Sequence, residues 1–172
     1  MTVVSDTNIL SSLAAADALA ALQRLFVRSR IRVPPAVRDE LQAAIDRGRT
    51  YLAPVIDAIA AGDIPVLALT DNERVLATAL PQRLNAGECE AIALCHQRRI
   101  PLLSNDRRAV RYCQTNGIDV VDLPAILRLC WTRQIMTATD VVQIITRMEQ
   151  VERLTLSDAQ REAIFAPQRR RR

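Results

Sequence analysis

The sequence predicts an α/β fold: a parallel sheet of about five strands covered by helices on both faces, then a helical C-terminal portion. Three observations carry this. Short β-branched runs alternate with longer stretches of helical period, the pattern of βαβ units. The runs "VVS" and "PLLS" lack polar alternation, as strands buried on both sides do. After Val121 no further strand pattern follows.

In chain order, strands are expected at residues 2–5, 31–33, 64–69, 101–104 and 119–121. Helices are expected between them at 12–28, 35–47, 52–61, 72–80, 86–97 and 107–115. Pro34 and Pro35 suit the opening turn of the second helix. Gly117 suits the C-cap between the last of these helices and the last strand. Three more helices follow, at 123–132, 137–151 and 157–165. The expected organisation is an α/β body over 1–122, a helical extension over 123–166 packed on the body or on a partner, and a basic, disordered tail over 167–172.

A chain of 172 residues, about half of them apolar, suits one soluble domain with a sizeable core. Charges interrupt every apolar run before it reaches a membrane span, and "MTVVSD" has no signal-peptide pattern, so a cytoplasmic location is expected. Cys89, Cys95, Cys113 and Cys130 form no C-x-x-C pair and have only His96 for company. A zinc site is disfavoured, and reduced core thiols are expected. All 23 basic residues are arginine. Without the last four, 19 arginines balance 19 acids, so the pI near 9.3 belongs to the tail.

In open parallel sheets ligands bind beyond the carboxyl ends of the strands. Asp6 follows the first strand and Asp106, in "SND", follows the fourth. Two helical acids join them. In "VPPAVRDELQAAI" the apolar stripe is Val37, Leu41, Ala44 and Ile45; Glu40 lies about 60° from Val37, and Asp39 about 160° away, toward solvent. In "LNAGECEAIALC" Glu88 shares a face with Ile92 and Cys95, while Glu90 points about 200° round the helix. Each acid also has an ordinary reading. Asp6 suits an Asx-turn, Asp106 a helix cap, and Asn85-x-x-Glu88 a capping box. Four carboxylates at one sheet edge without basic partners would repel one another. A hard divalent cation, Mg²⁺ or Mn²⁺, resolves that repulsion and can activate water against a phosphodiester without a histidine base.

The segments "VVSDTNIL", "VPPAVRDEL", "LNAGECEAIALC" and "LLSNDRRAVRYC" resemble, in order and spacing, the four acidic motifs of PIN domains. The match covers about residues 2–122 and is nearest the bacterial and archaeal branch with a Gly-Glu-x-Glu-Ala-Ile signature. The resemblance implies a three-layer α/β/α sandwich and makes Asp6, Glu40, Glu88 and Asp106 the catalytic, metal-binding acids, with Asn8 and Ser104 in support. It further implies Mg²⁺- or Mn²⁺-dependent cleavage of RNA, often as the toxin of a toxin–antitoxin pair, and frequent homodimers. The sequence departs from the branch at Asn105, where a further acid is common, and in its long helical C-terminal portion.

Dehalogenase-like phosphatases expect a second aspartate where Asn8 stands, and receiver domains and P-loops need a lysine that the chain lacks. The rival of a different class is a PIN-like module that binds RNA or protein without cutting. Few aromatics are available for base stacking, so arginine–phosphate contacts are expected to dominate. Arg107, Arg108 and Arg111 are the candidates, unless they form only a solvated helix face. The apolar width of Val141, Val142, Ile144, Ile145 and Met148 suggests burial against the body or in a dimer.

Overall fold

The computed structural model describes residues 2–28 and 30–166. Four parallel strands, β1 (Thr2–Ser5), β2 (Arg30–Arg32), β3 (Leu102–Leu103) and β4 (Val120–Val121), lie in the order β2-β1-β3-β4. The intervening helices are α1 (Thr7–Ala15), α2 (Leu19–Leu25), α3 (Pro35–Asp46), α4 (Ala53–Ala60), α5 (Asp71–Ala79), α6 (Ala86–Arg98) and α7 (Arg107–Thr115). After β4 come α8 (Leu123–Thr132), α9 (Ala138–Glu152) and α10 (Asp158–Phe165). Residues 167–172, which include the arginine run, lie outside the described residues.

Strand pleating divides the apolar side chains between two cores. Val3 and Leu103 face a larger core with α1 to α4 and α8 to α10. Val4 and Leu102 face a second core built with α6 and α7. The sheet is therefore the middle of three layers, as expected. Val141, Ile144, Ile145 and Met148 are all buried in the larger core, and only Val142 of that set stays exposed. Most of the apolar width of α9 is buried within the chain, while Val142 and Val151 stay exposed.

Three expectations need correction. Residues 64–69 form no strand but a single parallel bridge, Val33 to Val66. Val33 N–H donates to the Pro65 carbonyl at 3.2 Å and Leu67 N–H to the Val33 carbonyl at 2.8 Å. The next ladder bond toward the N-terminus would need an N–H on Pro65, which has none. The helix expected at 12–28 begins earlier, at Thr7, because Asp6 caps it directly from the strand. It also breaks at Asp17, whose left-handed φ of 56° ends α1 with Ala18 N–H donating to the Leu13 carbonyl and Asp17 N–H to the Ala14 carbonyl. That is a Schellman ending, and aspartate is among the few residues that tolerate it without glycine. Finally, Thr50–Leu52 form a 3₁₀ turn ahead of α4. Gly117 ends α7 at φ 68°, with Ile118 N–H donating to the Cys113 carbonyl, as its position predicts.

Glu73 of α5 closes a capping box on Thr70 and pairs with Arg98 of α6 through two bonds, 2.6 and 2.8 Å. Its side chain is 3% exposed, and the arginine holds its pKa down from 4.5 to about 2. Because the folded-state value is depressed, the pair stabilises fully above pH 4.5 and fades as pH falls toward 2. Glu73→Gln keeps the cap but removes the charge. Its expected cost near neutrality is roughly 1–3 kcal/mol, below that of a fully buried pair because Arg98 stays partly hydrated. Urea unfolding should show that gap at neutral pH and its closure in acid.

Candidate active site

β1 lies between β2 and β3, so the chain order reverses at the β1–β3 boundary, where ligands bind in open parallel sheets. Asp6 and Asp106 flank this point. β1 runs into α1 with no loop, and Asp6 is the hinge: Oδ1 accepts from Ile9 N–H at 2.9 Å. The residue is 2% exposed, and Oδ2 is buried with no hydrogen-bond partner among the described residues. Desolvation pushes the Asp6 pKa up to about 7. The Ile9 amide and the Ser104 hydroxyl oppose that rise, while Glu88 and Asp106 add to it by repulsion.

Asp106 caps α7, with Oδ1 accepting from Arg108 N–H at 2.8 Å and Ala109 N–H at 3.0 Å. Fully buried Ser104 accepts from Asp106 N–H at 3.3 Å. Glu88 does close the capping box: Oε2 accepts from Asn85 N–H at 3.0 Å, and Glu88 N–H donates to Asn85 Oδ1 at 2.7 Å. The box uses Oε2 and leaves Oε1 outside it, so capping and a place in the acid cluster are compatible. Burial raises the pKa of Glu88, the Asn85 amide opposes the rise, and Asp106 and Glu40 add to it.

Glu40 reaches from α3 to the start of α6. Oε1 accepts from Gly87 N–H at 2.8 Å, and Oε2 accepts from the Thr7 hydroxyl. Gly87 N–H is one of the helix's orphan amides, and a carboxylate there also suits the helix dipole. Glycine leaves room for this approach: a Cβ on residue 87 would lie 2.8 Å from Glu40 Oε2, and the carboxylate would have to shift. Asp39 is exposed and pairs with Arg38, as its helical phase predicts. Glu90 turns away to accept from Ala36 N–H at 2.8 Å, capping α3.

Repulsion thus links Asp6 with Glu88 and Asp106, and Glu88 with Asp106 and Glu40. Even so, among the described residues no three acidic, histidine or cysteine side chains form a ready-made metal cage. The chemistry the site offers is hard oxygen donors, one of them a buried carboxylate oxygen without a partner among the described residues. Asn8 is exposed beside Asp106 in a shared cleft, and Arg107, Arg108 and Arg111 are exposed on α7. Arg108 partly offsets the charge of Glu88.

Sequence reasoning missed Thr7, Gly87 and Glu152. Gly87 carried a signal, being a glycine inside a helix with no turn to explain it. Glu152, at the end of α9, carried none: it accepts from Ser11, from Ser12 at 2.8 Å and from Tyr51 at 3.0 Å, docking α9 against α1.

The raised Asp6 pKa has a measurable consequence. The folded chain holds this proton from pH 3.8 up to about 7, where the unfolded chain has released it. The folded state binds more protons in that window, so the stability of chelator-treated protein should fall as pH rises through it. Asp6→Asn should flatten the slope in thermal melts; an equal slope in both proteins would contradict the assignment.

A family model for the PIN domain matches residues 2–167. No curated protein matches the chain. Among the described residues, no helix is long and apolar enough to cross a membrane.

Proposed function

The chain belongs to the PIN-domain family, a family of nucleases in general, and on that premise we propose that it is a Mg²⁺- or Mn²⁺-dependent endoribonuclease. The observation that carries this reading is the Asp6 carboxylate, kept buried and one oxygen short of a partner among like charges. An apolar or amide side chain would stabilise the fold better there, so the cost points to a function. The donors are hard oxygens, and with no cage of three such side chains among the described residues the cation would be of the kind held by one or two carboxylates and several waters. Asp6 and Asp106 would hold it, since each has one oxygen outside its cap. Glu40 and Glu88 would add charge from their anchored places at α6.

A cation bound there supplies charge neutralisation for the phosphate and a lower pKa for water. The protein does the rest. Ser104 fixes the Asp106 backbone, and the α6 amide and Thr7 hold Glu40. Asp6 must shed its proton to act as a ligand, so metal affinity should rise with pH. Arg107, Arg108 and Arg111 are placed to meet phosphates along the strand. The finer reading, a toxin-type ribonuclease, adds an antitoxin as protein partner; a tight complex with the product of an adjoining small gene would carry it.

Mn²⁺ should raise the melting temperature of the purified chain, through linkage to the folded state. The same protein should cut single-stranded RNA, and chelator should stop it. Absence of both effects would leave the non-catalytic module in its place.

A further inference from the structure

A cleft of about 570 Å³ runs on from Asp106, within the ~300–1,000 Å³ range of ligand sites. Its walls come from four separated parts of the chain: the start of α1, the turn bearing Arg49 and Tyr51, Asn105 and Asp106 after β3, and the end of α9 with Arg153. We propose that this cleft receives the sugar–phosphate backbone of the single-stranded RNA flanking the scissile bond, with Arg49 and Arg153 as its phosphate contacts. The inference rests on the ribonuclease reading.

A strand whose phosphate reaches Asp106 must continue past it, and the cleft opens directly from that residue. Arg49 and Arg153 are exposed there. Among the described residues neither forms an ion pair, whereas Arg38, Arg74, Arg98 and Arg161 each do. The one acid of this wall apart from Asp106 is Glu152, and its carboxylate is occupied by the hydroxyls of Ser11, Ser12 and Tyr51. The wall therefore presents two unpaired guanidiniums and the amides of Asn8 and Asn105 beside an acid already spoken for. Glu152 docks the helix end that carries Arg153 against α1. On this account the C-terminal helices complete the substrate cleft.

The test is binding of a short fluorescent oligouridylate by anisotropy, in chelator so that nothing is cut, across a salt series. Each phosphate contact to a single strand contributes about 0.7 to the slope of log affinity against log salt. Arg49→Ala with Arg153→Ala should weaken binding and lower that slope by about 1.4, twice the single-contact value. Arg49→Lys with Arg153→Lys should retain most of it, and Arg24→Ala on α2, outside the cleft, should match wild type. Wild-type affinity and slope in the double alanine variant would overturn the cleft assignment while leaving the nuclease reading intact. Wild-type protein that binds but never cuts, with the slope reduced in the variant, would support the cleft and end the nuclease reading.

Discussion

Asp6→Asn is expected to remove RNA cleavage while leaving a protein that folds as well as wild type, or better, without metal. The activity loss should exceed the ~10–100-fold typical of groups that only orient a metal ligand, because the substitution replaces a proposed ligand itself. The stability effect has the opposite sign. At pH above 7 wild-type Asp6 is a buried anion repelled by Glu88 and Asp106, and asparagine carries no such charge. Its side-chain oxygen can still cap α1 through Ile9 N–H. Added Mn²⁺ should then stabilise wild type more than the variant. A variant that melts lower in chelator and keeps its full metal shift would remove Asp6 from the site.

Gly87→Ala should give the second largest effect, and its sign is the informative part. An exposed glycine near a helix start normally gains up to ~1 kcal/mol on becoming alanine. Here the new methyl would lie within 3.0 Å of three Glu40 atoms, Oε2, Oε1 and Cδ. Glu40 must move away, losing its bonds to Gly87 N–H and to Thr7. Hydrogen bonds to a charged group contribute about 1.5–3 kcal/mol each, but the half-buried carboxylate regains water when it moves aside. A net destabilisation of roughly 1–3 kcal/mol is therefore expected, with activity down by about 10–100-fold. Denaturant melts that show stabilisation would mean that Glu40 swings aside freely and that its anchoring has no mechanical role.

The parts of this molecule legible in its sequence are those set by short-range pattern. Strand runs, helical phase and the Asn85-x-x-Glu88 box are local, so the three layers, the solvent face of Asp39 and the sheet-edge acids could all be placed. The misses share a physical origin. Glu40 meets Thr7 across 33 residues and Gly87 across 47, while Glu152 meets Ser12 across 140. No periodicity encodes such distances. The loss of the fifth strand was readable in principle from Pro65, but only once its neighbour Val33 was known. The cap readings of Asp6, Glu88 and Asp106 were legible because each is local, whereas the contact of Glu40 with the start of α6 spans 47 residues and was not.

The measurement that bears most directly on the central claim compares wild type with Asp106→Asn, purified side by side, for cutting and for binding single-stranded RNA in Mn²⁺. Asparagine keeps the size and one side-chain oxygen, so the cap on Arg108 and Ala109 should persist and the fold with it. Wild type is expected to cut and the variant not to, while the variant binds RNA at least as tightly, since arginine contacts remain and a repelling charge has gone. Cleavage that survives the substitution unchanged, or wild-type protein that binds RNA yet leaves it intact in both Mn²⁺ and Mg²⁺, would contradict the central claim.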